Sequence, residues 1–165
     1  MIFHLKILTE NDVTNSYVNW FNNSNVIRYS NNQYRKFSLE GQKNFVNYCL
    51  NNKNIDLYGI FHENTLIGNI KITGIKNHHK NAEISYVIGN TDYWGKGAAS
   101  FAISKIIEIS KTNYKLYKLF AGVAEENIAS VKVLNKNKFI LEGKRPNHLF
   151  FCGKFYNQLD YGLIL

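Results

Sequence analysis

Residues 82–109 read AEISYVIGNTDYWGKGAASFAISKIIEI, and this stretch decides the fold class. Its first residues alternate apolar and polar side chains, which is typical of a strand, and two glycines follow soon after. Beyond the glycines, apolar residues recur at the spacing of an amphipathic helix. The stretch therefore predicts a strand, a glycine-containing turn and a helix in succession, which is the repeating unit of α/β proteins.

The turn of this unit, residues 93–100, has the composition of an anion-binding loop. Small residues allow a ligand to approach the backbone closely, and the unpaired N–H groups of a first helical turn favour a phosphate. The spacing matches neither G-x-G-x-x-G nor G-x-x-x-x-G-K-[ST], so a Rossmann dinucleotide site and a P-loop are both disfavoured. By itself, the motif indicates either a pyrophosphate site or a plain tight turn.

Patterns on both sides extend this unit to one mixed α/β domain over residues 1–165, with a single central sheet. A helix is expected from Thr9 or Asn11 to about Asn22, and another after Ser38, with a polar, turn-rich connection between them. An antiparallel meander is expected at 56–62, 65–75 and 80–88. The other predicted elements are a helix from Ile128 and strands at 2–8, 117–124, 139–141, 149–152 and 155–165.

The composition predicts a folded cytoplasmic protein. With 45% hydrophobic residues, 11 Phe and 11 Tyr, the chain can bury a sizeable core without disulfides. No apolar stretch is long enough for a membrane helix, and the first ten residues lack the apolar core of a signal peptide. Cys49 and Cys152 have no metal-like spacing, so they are expected to be reduced thiols and no metal is expected.

The formal net charge of +8 favours an anionic partner. Charge alone fits nucleic acid, a membrane surface and a phosphorylated ligand equally well. The basic residues are scattered, with no run of five and no zinc-finger or RGG pattern, which argues against nucleic acid. A nucleic-acid-binding module remains an alternative of a different class, and a steep loss of oligonucleotide affinity with salt would identify it.

Three separated segments resemble the GNAT superfamily of acetyl-CoA-dependent N-acetyltransferases. The family's cofactor loop is usually [QR]-x-x-G-x-[GA], and residues 92–97, DYWGKG, match both glycine positions but have Asp92 at the first. Residues 82–88 resemble the family's fourth strand. The subgroup that includes ribosomal-protein N-terminal acetyltransferases carries N-x-x-[AS], E-K-x-G-F and E-G, which resemble NIAS at 127–130, KNKF at 136–139 and EG at 142–143.

This resemblance, which covers nearly the whole chain, implies a mixed sheet of about six or seven strands with about four flanking helices, splayed at the cofactor site. Acetyl-CoA is the implied acyl donor, without a metal. Its pantetheine arm is expected along Tyr86, Val87 and Ile88. Its diphosphate is expected at the loop formed by Gly95, Lys96, Gly97, Ala98, Ala99 and Ser100.

The resemblance also assigns residues of the second predicted strand–turn–helix unit. Asn127 and Ser130 are expected near the thioester, and Lys132 or Lys136 near the adenosine phosphate. Simple helix capping by Asn127 stays open as an alternative, and so does a solvated helix face for the two lysines.

Acetyl transfer to an amine needs a base, an oxyanion donor and a proton for the leaving thiolate. Glu83 is the candidate base, since it alternates with Ile84 and so faces away from the apolar side of the strand; a purely structural carboxylate is the alternative. The resemblance implies that a backbone N–H near Val87 or Ile88 is the oxyanion donor.

The general acid is not evident, because many relatives carry a tyrosine seven residues after the asparagine and this chain has Leu134 there. Ser130, a water or Tyr161 remains as the proton donor, or the thiolate leaves unassisted. Lys138 stands where the family usually has glycine, which implies a different local backbone.

The acceptor is expected to be a small anionic amine, most specifically a nucleotide-linked amino sugar of surface polysaccharide biosynthesis. The chain's three arginines fall in segments that the resemblance assigns to the rim of the acceptor pocket, and arginine suits phosphate or carboxylate binding. Aromatic side chains beside them can stack on a base or a sugar. The candidate acceptor residues are Arg28, Tyr29, Tyr34, Arg35, Arg145 and His148.

Two further functions stay open within the same resemblance. One is acetylation of the N-terminal α-amine of a ribosomal or other protein, although the net charge would repel basic ribosomal tails. The other is CoA binding without catalysis, which Leu134 makes plausible. A monomer and a homodimer are equally compatible with the sequence.

Overall fold

The computed structural model describes all 165 residues. Seven strands and five α-helices follow one another in the order β1 (Phe3–Ile7), α1 (Asn15–Phe21), α2 (Ser24–Ile27), α3 (Leu39–Asn51), β2 (Ile55–His62), β3 (Thr65–Thr73), β4 (Asn81–Ile88), α4 (Ala98–Thr112), β5 (Lys118–Ala124), α5 (Ile128–Lys136), β6 (Ile140–Phe151) and β7 (Lys154–Ile164). Short 3-10 helices lie at Glu10–Asp12, Asn31–Tyr34 and Thr91–Tyr93. None of the helices has the length and apolar character that a membrane span requires.

All seven strands form one sheet in the order β1-β2-β3-β4-β5-β7-β6. Every neighbouring pair is antiparallel except β4 and β5, which run parallel. The β4–β5 pairing is short, because it joins only Asn81–Glu83 to Lys118–Phe120. The predicted mixed α/β fold with a splayed sheet is confirmed.

Helices cover both faces of the sheet and bury two separate cores. On one face, α4 packs its apolar stripe, including Ile103 and Ile106, against strands β2 to β5. On the other face, α1 and α3 cover β2 and β3 through Tyr17, Val46 and Leu57. The strands alternate accordingly: Ala82 and Ile84 of β4 are buried toward α4, whereas Glu83 and Ser85 are exposed on the opposite side.

The first helix was predicted as one piece from Thr9 or Asn11 to Asn22, and that prediction is wrong. Asp12 turns back to accept hydrogen bonds from the backbone and hydroxyl of Thr9, both at 2.8 Å, which closes a single 3-10 turn. Val13 is extended, and Thr14 then caps α1 by accepting from the Tyr17 N–H. Two competing capping residues therefore divide the segment.

The chain from Ile140 to Phe151 forms one strand, rather than the two short strands predicted at 139–141 and 149–152. Irregular pairing with β7 occurs at Leu141/Gly143 and between Arg145 and Leu149. The middle of β6 was not predicted as a strand because it contains polar residues and Pro146. Such residues are tolerated there because β6 is an exposed edge strand.

Lys138 does not change the local backbone, contrary to expectation. Its φ of 66° lies in the left-handed region that glycine favours. The N–H groups of Lys138 and Phe139 donate to the carbonyls of Asn135 and Leu134, which is a Schellman ending for α5. Lysine therefore occupies a glycine-type position at the cost of backbone strain.

Candidate active site

The strands β4 and β5 separate after Glu83 and Phe120, and we call the space between residues 84–88 and 121–124 the β4–β5 gap. The Gly89 N–H donates to the Ile67 carbonyl at 3.0 Å, which fixes the hydrogen-bonding alternation of β4 with β3. By that alternation, the peptide groups of Val87 point to β3, whereas those of Tyr86 and Ile88 point into the gap. The gap edge can therefore bind an extended ligand through backbone groups, and Ile88 rather than Val87 presents an N–H to it.

The glycine loop at the end of the gap leads directly into α4. Gly95 and Gly97 have φ values of 72° and 87°, so both need the left-handed conformation, and a Cβ at either would meet nothing within 4 Å. Gly97 is the N-cap of α4 and supplies no side-chain cap. The Lys96 N–H donates to the Tyr93 carbonyl, and the next N–H with an acceptor is that of Phe101. The N–H groups of Gly97, Ala98, Ala99 and Ser100 are therefore unpaired.

These unpaired groups form an anion site with the polarity that a diphosphate needs. The N-terminus of a 15-residue helix carries partial positive charge, and its free N–H groups point away from the helix. The exposed Lys96 lies in the same loop, its ammonium 5.5 Å from the centre of the Tyr93 ring. The diphosphate role of residues 95–100 stays a prediction, and the geometry of the loop is compatible with it.

Two aromatic side chains hold this loop against the end of β4. Trp94 donates from Nε1 to the Ile88 carbonyl at 2.7 Å, and the Tyr93 hydroxyl lies 3.1 Å from His62 Nδ1. On the opposite face, the ring of Trp20 packs directly on Gly89, where a Cβ would lie 1.9 Å from it. The sequence analysis assigned neither Trp20 nor Trp94 to the site. Only Trp94 could have been found from the sequence, because it stands next to Gly95 in the glycine loop.

The start of α5 follows the β5 side of the gap after three residues. The Asn127 side chain caps this helix by accepting from the Ser130 N–H at 3.3 Å. Tyr86 reaches across from β4, and its hydroxyl lies 3.5 Å from the Ser130 carbonyl. Burial raises the pKa of the Tyr86 phenol. Leu134 is fully buried in the core, and Lys132 and Lys136 are exposed on α5.

Glu83 lies at the base of the gap, on the face opposite α4 and α5. It belongs to the last pair of residues before β4 and β5 separate, where it stands beside Phe120. Its carboxylate has no ion-pair or hydrogen-bond partner and is exposed, so a solvent molecule can reach it. A base that acts through water fits this position.

The connection between α1 and α3 crosses this same face and touches the β6–β7 hairpin. The Tyr34 hydroxyl donates to the Phe150 carbonyl, and Tyr29 packs edge-on against Tyr156 with ring centres 5.8 Å apart. Gln33 accepts from the backbone N–H of Cys152 at 3.2 Å. These contacts attach the connection, residues 22–38, to the hairpin, and we call this connection the arch.

The candidate acceptor residues fall into two groups with different electrostatic surroundings. Arg28 and Arg35 are exposed on the arch and form no ion pair, and the guanidinium of Arg28 lies 5.2 Å from the Tyr29 ring centre. Arg145 on β6 instead binds Asp160 through two hydrogen bonds of 2.6 and 2.9 Å, and its third nitrogen lies 3.3 Å from His148.

The pairing of Arg145 alters both partners. Hydrogen bonding to Arg145 lowers the pKa of Asp160, and the carboxylate in turn raises the pKa of the guanidinium. Asp160 therefore already neutralises Arg145, which leaves this arginine less available to bind an anionic ligand. No sequence pattern indicates this pair, because it forms between two neighbouring strands whose register is set only by folding.

A protein-family model described as "Acetyltransferase (GNAT) domain" matches residues 3–140. The chain belongs to the GNAT acetyltransferase domain family. The glycine loop, the gap and the arch all lie within the matched residues. The β6–β7 hairpin, which the arch contacts, lies almost entirely beyond them. The more specific subgroup suggested by the sequence motifs is not confirmed.

The matches between this GNAT protein and its curated relatives cover only part of each relative's length. The chain is 36% identical over 127 residues to an uncharacterized N-acetyltransferase, p20, of Bacillus licheniformis, a match that covers 77% of the chain and 65% of that protein. It is 29% identical over 92 residues to spermidine N(1)-acetyltransferase of Escherichia coli, over 56% of the chain and 49% of that protein. The matches thus span about half to two thirds of these relatives.

Among solved structures, the GNAT fold recurs over almost the full chain. The ribosomal-protein α-N-acetyltransferase RimL in complex with coenzyme A superimposes with a TM-score of 0.87, covering 99% of this chain and 94% of that one. Sequence identity is 19%, so this likeness establishes the fold and not the acceptor.

Proposed function

We propose that this GNAT protein is a cytoplasmic acetyl-CoA-dependent N-acetyltransferase that joins donor and amine in a ternary complex. One observation carries the proposal: four unpaired N–H groups at the start of α4 lie at the end of the β4–β5 gap. The N–H groups suit a diphosphate, and the gap edge suits the amide-containing arm that follows it in coenzyme A. A helix start and an open strand edge in this order fit an acyl carrier better than a nucleic acid.

In this proposal, each side of the gap has its own task. Gly95 to Ser100 and Lys96 bind the diphosphate, and the peptide groups of Tyr86 bind the pantetheine arm, since the Ile88 carbonyl already accepts a hydrogen bond from Trp94. The Ile88 N–H serves as oxyanion donor, because it points into the gap. Glu83 takes the amine proton through a water, since it is unpaired and lies on the acceptor face.

Charge distribution supports an anionic acceptor. Residues 13–39, which include the arch, contain no Asp or Glu. Arg28 and Arg35 form no ion pair there. Three carboxylates near the hairpin are already paired with hairpin cations: Glu125 and Glu126 of the β5–α5 loop with Lys144 and Lys154, and Asp160 of β7 with Arg145. A polycationic amine would therefore find few free carboxylates, whereas a phosphate would find two free guanidinium groups.

We keep a nucleotide-linked amino sugar as the specific acceptor, with phosphates on the arch arginines and rings against Tyr29 or Tyr34. A protein N-terminal amine is the second candidate, because the motif at residues 127–143 resembles that of the ribosomal-protein enzymes. A polyamine is the third candidate, because three curated relatives, from Escherichia coli and Vibrio cholerae, bear the name spermidine N(1)-acetyltransferase. The arch charges favour the first.

The test is release of free CoA thiol from acetyl-CoA with three panels of acceptors: nucleotide-linked amino sugars, short peptides with free N-termini, and polyamines. Turnover on a sugar nucleotide that falls in the double variant Arg28→Gln/Arg35→Gln supports the proposed acceptor. Turnover only on peptides or polyamines would replace it. If the protein binds acetyl-CoA but acetylates no acceptor of any panel, it is a CoA-binding protein without this activity. If it does not bind acetyl-CoA at all, the proposed donor site is wrong.

A further inference from the structure

The departing thiolate needs a proton, and the structure limits which groups can give one. Leu134 is buried among apolar residues and has no proton to give. Ser85 faces the opposite side of the sheet, and three hydroxyl-bearing side chains remain beside or under the gap, namely Tyr86, Ser130 and Tyr161. A phenol with an ordinary pKa near 10 is a far stronger acid than an alkyl hydroxyl, which leaves the two tyrosines.

Tyr86 is the tyrosine whose side chain connects the gap edge of β4 to the first turn of α5. Its backbone lies on the gap edge of β4, beyond the last β4–β5 pair. Its side chain points to the α4 and α5 side and ends 3.5 Å from the Ser130 carbonyl in the first turn of α5. This contact lies at the outer limit of a hydrogen bond, so the phenol proton is weakly held and can be redirected to a ligand.

Tyr161 is placed differently. It belongs to β7, pairs with Ala121 of β5, and is 4% exposed within the core cluster. Its strand lies one position further from β4 than β5 does, so β5 stands between Tyr161 and the gap. Tyr86 therefore has the better access to a group held along β4.

We propose that Tyr86 is the catalytic acid that protonates the departing sulfur of coenzyme A, an inference that rests on the proposed function. The amine nitrogen attacks the thioester carbon, a C–N bond forms, and the amine proton passes to Glu83. The C–S bond then breaks, its electron pair goes to sulfur, and the Tyr86 O–H proton goes with it. Solvent restores the phenol, and the products are an amide and a thiol.

The surroundings of Tyr86 suit this role. Burial raises the pKa of its phenol, so the side chain stays protonated throughout the neutral range. No carboxylate or cation contacts the phenol, and its one polar partner is the Ser130 carbonyl.

Tyr86→Phe tests the inference, because it removes the hydroxyl and keeps the packed ring. Measured as thiol release with the best amine of the panels, kcat should fall about 30-fold while KM for acetyl-CoA changes less than about twofold. The fall in wild-type rate when the phenol ionises at alkaline pH should disappear in the variant. A merely structural role would not remove that limb of the pH profile.

The matched control is Tyr58→Phe, which removes a hydroxyl on the same face of the sheet but remote from the gap, where it bonds Tyr114 at 2.7 Å. It should keep wild-type kcat. A Tyr86→Phe enzyme with wild-type kcat and an unchanged pH profile overturns the inference, and a selective loss in Tyr161→Phe would transfer the role to that residue. Wild-type protein that binds acetyl-CoA but turns over no amine overturns the proposed function itself, and this inference with it.

Discussion

Helices α4 and α5 follow the two parallel strands that border the gap, and the two helices begin differently. Asn127 caps α5 with its own side chain, which accepts from the Ser130 N–H. Gly97 offers α4 no side chain, and four N–H groups stay unpaired there. A helix start that satisfies its own backbone contributes stability, whereas one that leaves its N–H groups free is available to an anion.

The same contrast divides the charged side chains around the gap. Glu83, Arg28 and Arg35 have no ion-pair partner, whereas Arg145 and Asp160 neutralise each other across β6 and β7. Paired groups shape the site, and unpaired groups are free to act on a ligand. Substitutions at unpaired groups should therefore affect activity or binding first, and those at paired groups should affect stability first.

The largest effect is expected for the unpaired carboxylate. Glu83→Gln should lower kcat about 100-fold near neutral pH, because a positioned base contributes on this scale. Acetyl-CoA affinity, measured by calorimetry, should stay within about twofold, since Glu83 lies on the acceptor face. Glu108→Gln, at a surface ion pair on α4, is the matched control and should keep full activity. Equal activity of the Glu83 variant across about pH 6 to 9 would remove Glu83 as the base.

The next largest effect is expected at the bare start of α4. Gly97→Asp should weaken acetyl-CoA binding about 30-fold, because its carboxylate would face the bound diphosphate. Gly97→Asn has nearly the same shape and tolerates the same positive φ without the charge, so it should weaken binding much less. If the two variants bind acetyl-CoA equally well, electrostatic repulsion is not acting there and the diphosphate lies elsewhere.

The capped start of α5 should respond in stability. Asn127→Ala should lower the free energy of unfolding by about 1 kcal/mol, as measured by urea denaturation, because the Ser130 N–H loses its acceptor. Asn127→Asp keeps an oxygen at the cap and should remain close to wild type in stability. An Asp variant that is stable but binds acetyl-CoA tenfold more weakly would show that the Asn127 amide also contacts the ligand.

The smallest effect is expected where α5 ends. Lys138→Gly should raise the free energy of unfolding by about 0.5 kcal/mol, since glycine adopts the positive φ of this position without strain. Lys132→Gly is the matched comparison in the middle of the same helix, where it should lower stability by about 1 kcal/mol. The same substitution should thus have opposite signs six residues apart, and equal destabilisation at both positions would contradict the strain at Lys138.

Local rules explain how much of this molecule could be predicted from its sequence. The strand–turn–helix unit at 82–109, the Ser38 start of α3 and the glycine loop depend on neighbours in the chain, and all were predicted correctly. The prediction of one helix at 9–22 was wrong because two capping residues, Thr9 and Thr14, compete within one segment. The continuity of β6 was not predicted, because its pairing with β7 extends the strand through a polar sequence.

The sequence by itself determined the fold class, the loop that starts α4 and the residue types available for chemistry. These follow from periodicity, turn residues and helix termini, which act over a few residues. Only the tertiary structure decided which groups are free. The separation of β4 from β5, the Arg145–Asp160 pair and the reach of Tyr86 to Ser130 all join residues distant in sequence. Whether a charge or N–H group is satisfied depends on partners brought together by folding, and no local pattern encodes those partners.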